Sequence, residues 1–130
     1  MSGRQNFVPK GMENIQERFH YSPAVRAGNF VYIAGQVGRD EKLEVVEGRE
    51  TQFVQAFENV KKVLASAGAK LEDIIDMVTY FTDMQDLPLF IQVKDRYITK
   101  NYPAWTAITT PALAMPGLMV EIKCVAFVQD

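Results

Sequence analysis

The final strand-like run of this chain, "LMVEIKCVAFV" from Leu118 to Val128, limits the fold more than any other stretch. Side chains alternate along a strand. Leu118, Val120, Ile122, Cys124, Ala126 and Val128 therefore share one face, and Met119, Glu121, Lys123, Val125 and Phe127 share the other. Both faces carry apolar side chains, so each needs a cover.

The segment "AVRAGNFVYIAGQV" supplies a hairpin. Two β-prone runs flank Gly28-Asn29, a pair suited to a tight turn. Val31 and Ile33 alternate with Phe30, Tyr32 and Ala34, again apolar on both sides. "DEKLEVVEGRE" is polar and reads as a loop. A helix is expected from about Thr51 to Ala67, because Phe53, Phe57, Val60 and Leu64 fall on one helical face. Gly68 follows as its stop. "DMVTYFTDM" reads as a strand. A second helix is expected from about Leu87 to Thr99, with Asp86 as N-cap and Pro88 in the first turn. "WTAITTP" reads as the strand before the last.

These elements predict a two-layer α+β domain, with about six strands in a mixed sheet and two helices on one face. No third helix is expected to cover the opposite face, so self-association is the simplest cover. The 130 residues fit a single domain, 1–130. Sixteen acidic against fourteen basic residues leave a net charge of −2. That balance offers no electrostatic footprint for nucleic acid. Cys124 is the single cysteine, which excludes an internal disulfide and fits a reducing compartment. The N-terminal stretch lacks the apolar core of a signal peptide. No window approaches the roughly 20 apolar residues of a membrane span. A cytoplasmic location is the expectation.

Motifs for phosphate loops, dinucleotides and metals are missing. His20 is the single histidine and is expected at a surface or interface. Cys124, on an apolar strand face, is expected to act as a small hydrophobe. Arg26 is expected to be exposed beside the turn. Gly35 marks a bulge or a close approach by another group. Tyr21 reads as packing beside Ser22-Pro23. Glu121 interrupts an apolar strand and has two readings. One is an ion pair with Lys123 or a neighbouring strand. The other is a cleft carboxylate whose pKa burial raises toward acid/base use. Trp105, the single tryptophan, would on its own be read as core.

"YSPAVRAGNFVYIAGQV", "AFENVKKVLASAGAKLEDI", "VTYFTDM", "YPAWTAI" and "VEIKCVAFV" resemble, in order, the segments of the Rid family. This is the YjgF-like group of reactive intermediate (imine) deaminases, some of them earlier labelled endoribonucleases. The resemblance implies a chorismate-mutase-like fold and a homotrimer with its sheets packed inside as a barrel. It implies ligand clefts between subunits, no metal and no organic cofactor. It also implies hydrolysis of enamines and imines such as 2-aminoacrylate.

By the same resemblance, Tyr21 matches the cleft tyrosine, and Glu121 the glutamate that positions or activates water. Gly35 matches a cleft glycine, preceded here by Ala34 instead of serine. Trp105 replaces the arginine that clamps the substrate carboxylate. Ala107 replaces the cysteine whose N–H assists that clamp, and Ile91 a helix asparagine. An arginine holds a carboxylate by two charge-assisted hydrogen bonds, which an indole cannot supply. Trp105 is accordingly expected in the cleft, with weak or absent 2-aminoacrylate deamination. Two functions follow: hydrolysis of flatter imines lacking that carboxylate, or non-catalytic binding of a metabolite or partner. RNA cleavage has no support from charge or histidine content.

Overall fold

The computed structural model describes residues 3–129. In chain order the elements are β1 (Arg4–Phe7), α1 (Glu13–Phe19), β2 (Ala24–Ala27), β3 (Phe30–Ile33), β4 (Gln36–Val37), α2 (Arg49–Ser66), β5 (Ile74–Phe81), α3 (Leu87–Tyr97), β6 (Ala104–Thr109) and β7 (Val120–Phe127). One mixed sheet runs β1-β2-β3-β7-β5-β6, with β4 also pairing β7. Only β5 and β6 pair in parallel among these neighbours, joined through α3.

The expected hairpin closes on Gly28, whose φ of +60° suits a residue without Cβ. The α2 stripe Phe53, Phe57, Val60 and Leu64 is fully buried against the sheet. Phe90 of α3 meets Phe53, Phe57 and Phe81 at centroid distances of 5.0–5.7 Å. From the sheet, Val120, Ile122, Cys124 and Ala126 face this layer. Burial pushes the Cys124 thiol up to about 12, so it is protonated at neutral pH and serves as a small hydrophobe.

Three expectations change. A third helix, α1, exists, too short and too polar for its periodicity to stand out. It stays beside the helical layer: Ile15 lines a hollow with Asn59 and Lys62 of α2, and Asn14 donates to the Glu41 carbonyl. Asp86 stands at the N-terminus of α3 but does not cap it, because its carboxylate accepts from Arg49 Nε at 2.6 Å. Arg26 is half-buried, with Nη1 donating to the Ala67 carbonyl at 3.3 Å and Nε to the Gly28 carbonyl at 3.0 Å.

The sheet face away from the helices carries Phe30 (41% exposed) and Tyr32 (46%) beside their ladder partners Phe127 and Val125. The Phe30 and Phe127 rings meet edge to face at 5.2 Å. His20 is exposed, with φ +60° at the end of α1, and its N–H donates to the Gln16 carbonyl.

Candidate active site on the open sheet face

Glu121 is paired across the ladder with Tyr80 on β5 and Val37 on β4. That register turns it to the face opposite α2 and α3, because its neighbours Val120 and Ile122 are buried under the helices. The ion pair with Lys123 that the sequence allows does not form. Lys123 Nζ instead donates to the Ile33 carbonyl at 2.9 Å. Among the described residues the Glu121 carboxylate has no hydrogen-bond donor and no ion-pair partner. It is half-buried. Burial raises its pKa above the ordinary carboxylate value, while the charges of Arg39 and Lys123 pull it partly back.

Gly35 lies directly under this carboxylate. A Cβ there would come within 2.7 Å of Glu121 Cδ and closer still to Oε2. The glycine therefore permits Glu121 to lie flat against the β3–β4 connection. Gly35→Ala should displace the carboxylate. A displacement of about 1 Å can cost on the order of 100-fold in rate. The check is imine hydrolysis by the variant against its circular dichroism; an unchanged rate in a folded variant contradicts the assigned contact.

Ala34 is fixed by donating its N–H to the Pro23 carbonyl at 2.8 Å, and its own carbonyl accepts from Gln36 Nε2 at 3.1 Å. Tyr21 is exposed and accepts a long contact from Arg39 Nη2 at 3.4 Å. Arg39 is a site residue that the sequence reading missed. It follows Val37, the ladder partner of Glu121, by two residues. Its segment is stapled to α2 by Asn59, whose Nδ2 donates to the carbonyls of Val37 (2.8 Å) and Arg39 (2.9 Å). A hollow of about 30 Å³, lined by Tyr21, Arg39 and α1, adjoins this corner. It has room for water, not for a metabolite.

Trp105 sits elsewhere. It is in register with Met77, a fully buried residue on the helix side of β5. Its Nε1 donates to Thr79 Oγ1 at 2.9 Å, and its ring lies 5.9 Å from that of Phe90. Lys94 Nζ stands 5.4 Å from the ring centroid, with only 14% of its side chain exposed, and donates to Asp95. An arginine in place of Trp105 would face that ammonium as a like charge. Ala107 shares the Trp105 face of β6, and Ile91 precedes Lys94 by one helical turn. Within one chain, then, Glu121 lies over Gly35, next to Ala34, and Tyr21 is tied to the neighbouring Arg39. Trp105 and Ala107 share the helix side of β6, across the sheet, and Ile91 is carried by α3.

This is an α+β sheet protein that presents an unpartnered carboxylate on an open sheet face. A family model described as Endoribonuclease L-PSP matches residues 12–128. The RutC family protein YjgH of Escherichia coli is 32% identical over 137 residues, covering 100% of this chain and 99% of that one. The 3-aminoacrylate deaminase RutC of Acinetobacter baylyi is 32% identical over 110 residues, 83% of this chain and 86% of that one. A solved structure of protein YjgH superposes with a TM-score of 0.90 at 32% identity, covering 98% of both chains. The chain belongs to the Rid/YjgF family. No helix among the described residues is long and apolar enough to cross a membrane.

Proposed function

We propose that the protein hydrolyses small imines or enamines, with Glu121 moving the protons. The observation that carries this reading is a half-buried carboxylate with a raised pKa and no partner. A paired carboxylate would have a depressed pKa and be a weaker base toward water. The ionised Glu121 takes a proton from water as its oxygen bonds to the C=N carbon. Returned to nitrogen, that proton gives a carbinolamine; a second transfer, from its hydroxyl through Glu121 to the amine, breaks the C–N bond, expels ammonia and leaves the carbonyl. The balance is one imine and one water giving one carbonyl compound and one ammonia. Relatives named as 3-aminoacrylate and 2-iminobutanoate/2-iminopropanoate deaminases support the same class of chemistry.

The cleft of this reading lies between copies of the chain. Its support is the open face with Phe30, Tyr32 and Phe127, and the placement of Glu121 and Trp105 on opposite sides of one sheet. A homotrimer with its sheets inward covers that face and lets β6 of one copy approach Glu121 of the next. In such a cleft Tyr21 borders Glu121, while Trp105 and Ala107 form the facing wall. Trp105 brings no charge to that wall, and its single N–H is already given to Thr79. The reading therefore includes poor turnover of 2-aminoacrylate.

The test is ammonia release from a panel of aromatic imines, with Glu121→Ala beside the wild type. Release by the wild type and loss in the variant are expected. Equal rates for both proteins would remove Glu121 from the mechanism.

A further inference from the structure

Arg39 is a half-buried guanidinium without an acid. Among the described residues its side chain meets only the Tyr21 hydroxyl at 3.4 Å and Met115 Sδ at 3.6 Å. Neither contact is short, and a thioether is a weak acceptor. A guanidinium carries five N–H donors in a planar fork that matches a carboxylate or phosphate. Two long neutral contacts leave most of that fork unfilled. The backbone on either side is held, since the Arg39 N–H donates to Val37 and its carbonyl accepts from Asn59. The segment cannot easily swing away to solvate the charge.

Resting on the imine-hydrolase reading above, we propose that Arg39 anchors an anionic group of the substrate at the Tyr21 corner of the cleft. The charge absent from position 105 is thus supplied from the Glu121 side. Its position also selects the substrate. Arg39 borders Tyr21 on the Glu121 side of the cleft, away from the Trp105 wall to which an α-carboxylate would be directed, so the anion it holds is a different one. The substrate class is an imine or enamine with a remote anionic group. Lys123 gives one of its three donors to the Ile33 carbonyl and has no planar fork to match a carboxylate.

Two imines generated in the assay by an amine oxidase separate the possibilities: benzaldimine, and the same compound with a 4-carboxylate. The wild type should favour the carboxylate. Compared at a pH where Glu121 is ionised in both proteins, Arg39→Gln should lower the ratio of kcat/KM for the carboxylate to that for benzaldimine by roughly ten- to a hundredfold. Arg39→Lys should restore only part of the loss. If Arg39 only tunes Glu121, Arg39→Gln will move the pH profile of both substrates equally, which overturns the assignment.

Binding of the two product aldehydes, 4-formylbenzoate and benzaldehyde, is followed in parallel by calorimetry. Preference for 4-formylbenzoate that Arg39→Gln abolishes, without turnover of either imine, would sink the hydrolase reading and keep the anion anchor. No preference between the aldehydes would sink the anchor, whatever the turnover. Circular dichroism of each variant excludes loss of fold as the cause.

Discussion

Glu121→Gln should lower the hydrolysis of aromatic imines by about 10²–10⁴-fold, the usual weight of a positioned acid/base group. The amide keeps the shape of the carboxylate above Gly35 but cannot accept the proton from water. Wild-type kcat/KM should rise with pH through the raised pKa of Glu121, because the ionised form is the base. The variant should lose that limb. Stability should move the other way. A carboxyl whose folded pKa is raised binds protons more tightly in the folded chain than in the unfolded one. Its favourable contribution is present below the unfolded pKa and lost as pH rises through the folded value. Glu121→Gln should therefore be at least as stable as wild type at neutral pH, with any gain fading in acid. Half-exposure keeps that gain small. Parallel urea melts at acid and neutral pH check the sign; a variant less stable at neutral pH would contradict it.

Gln52→Leu should destabilise the fold by about 3 kcal/mol, since a buried backbone group left unpaired costs roughly 1–3 kcal/mol. Gln52 is almost wholly buried, and its amide is used at both ends. Nε2 donates to the carbonyls of Gly117 (3.0 Å) and Val46 (3.3 Å), and Oε1 accepts from the Met119 N–H at 2.6 Å. The side chain thus ties α2 to the start of β7, two residues before Glu121, and to the segment beyond Arg39. Leucine fills the volume and strands the backbone groups. Urea denaturation should show the lower midpoint with an unchanged slope. A loss below about 1 kcal/mol would mean that the backbone finds other partners.

Periodicity made the frame legible. Phe53, Phe57, Val60 and Leu64 gave α2 its buried stripe, and β7 alternated cleanly into a buried and an open face. Glu121 and Gly35 were visible as a charge and a glycine out of place in apolar strands, and they prove to be in contact distance. What stayed hidden depends on contacts remote in sequence. Gln52 and Asn59 are polar residues inside an amphipathic pattern, and only the folded loops show why they are buried. Arg39 immediately precedes a polar stretch that reads as a loop, where an arginine usually means solvent. Asp86 has the right residue type for a cap, yet Arg49, thirty-seven residues earlier, takes its carboxylate. Helix α1 has one buried residue, Ile15, too few for a period. Trp105 could be placed against the clamp arginine by resemblance. Its bond to Thr79 and its place under Lys94 needed the register of β5 and β6.

The central claim is imine hydrolysis through Glu121 with the α-carboxylate clamp missing. The most direct measurement compares ammonia release from 2-aminoacrylate with that from benzaldimine and its 4-carboxylate, using wild type, Glu121→Gln and Trp105→Arg. The account predicts Glu121-dependent release from the aromatic imines and much slower release from 2-aminoacrylate by the wild type. Rapid wild-type turnover of 2-aminoacrylate, or aromatic-imine release that Glu121→Gln leaves unchanged, would contradict it.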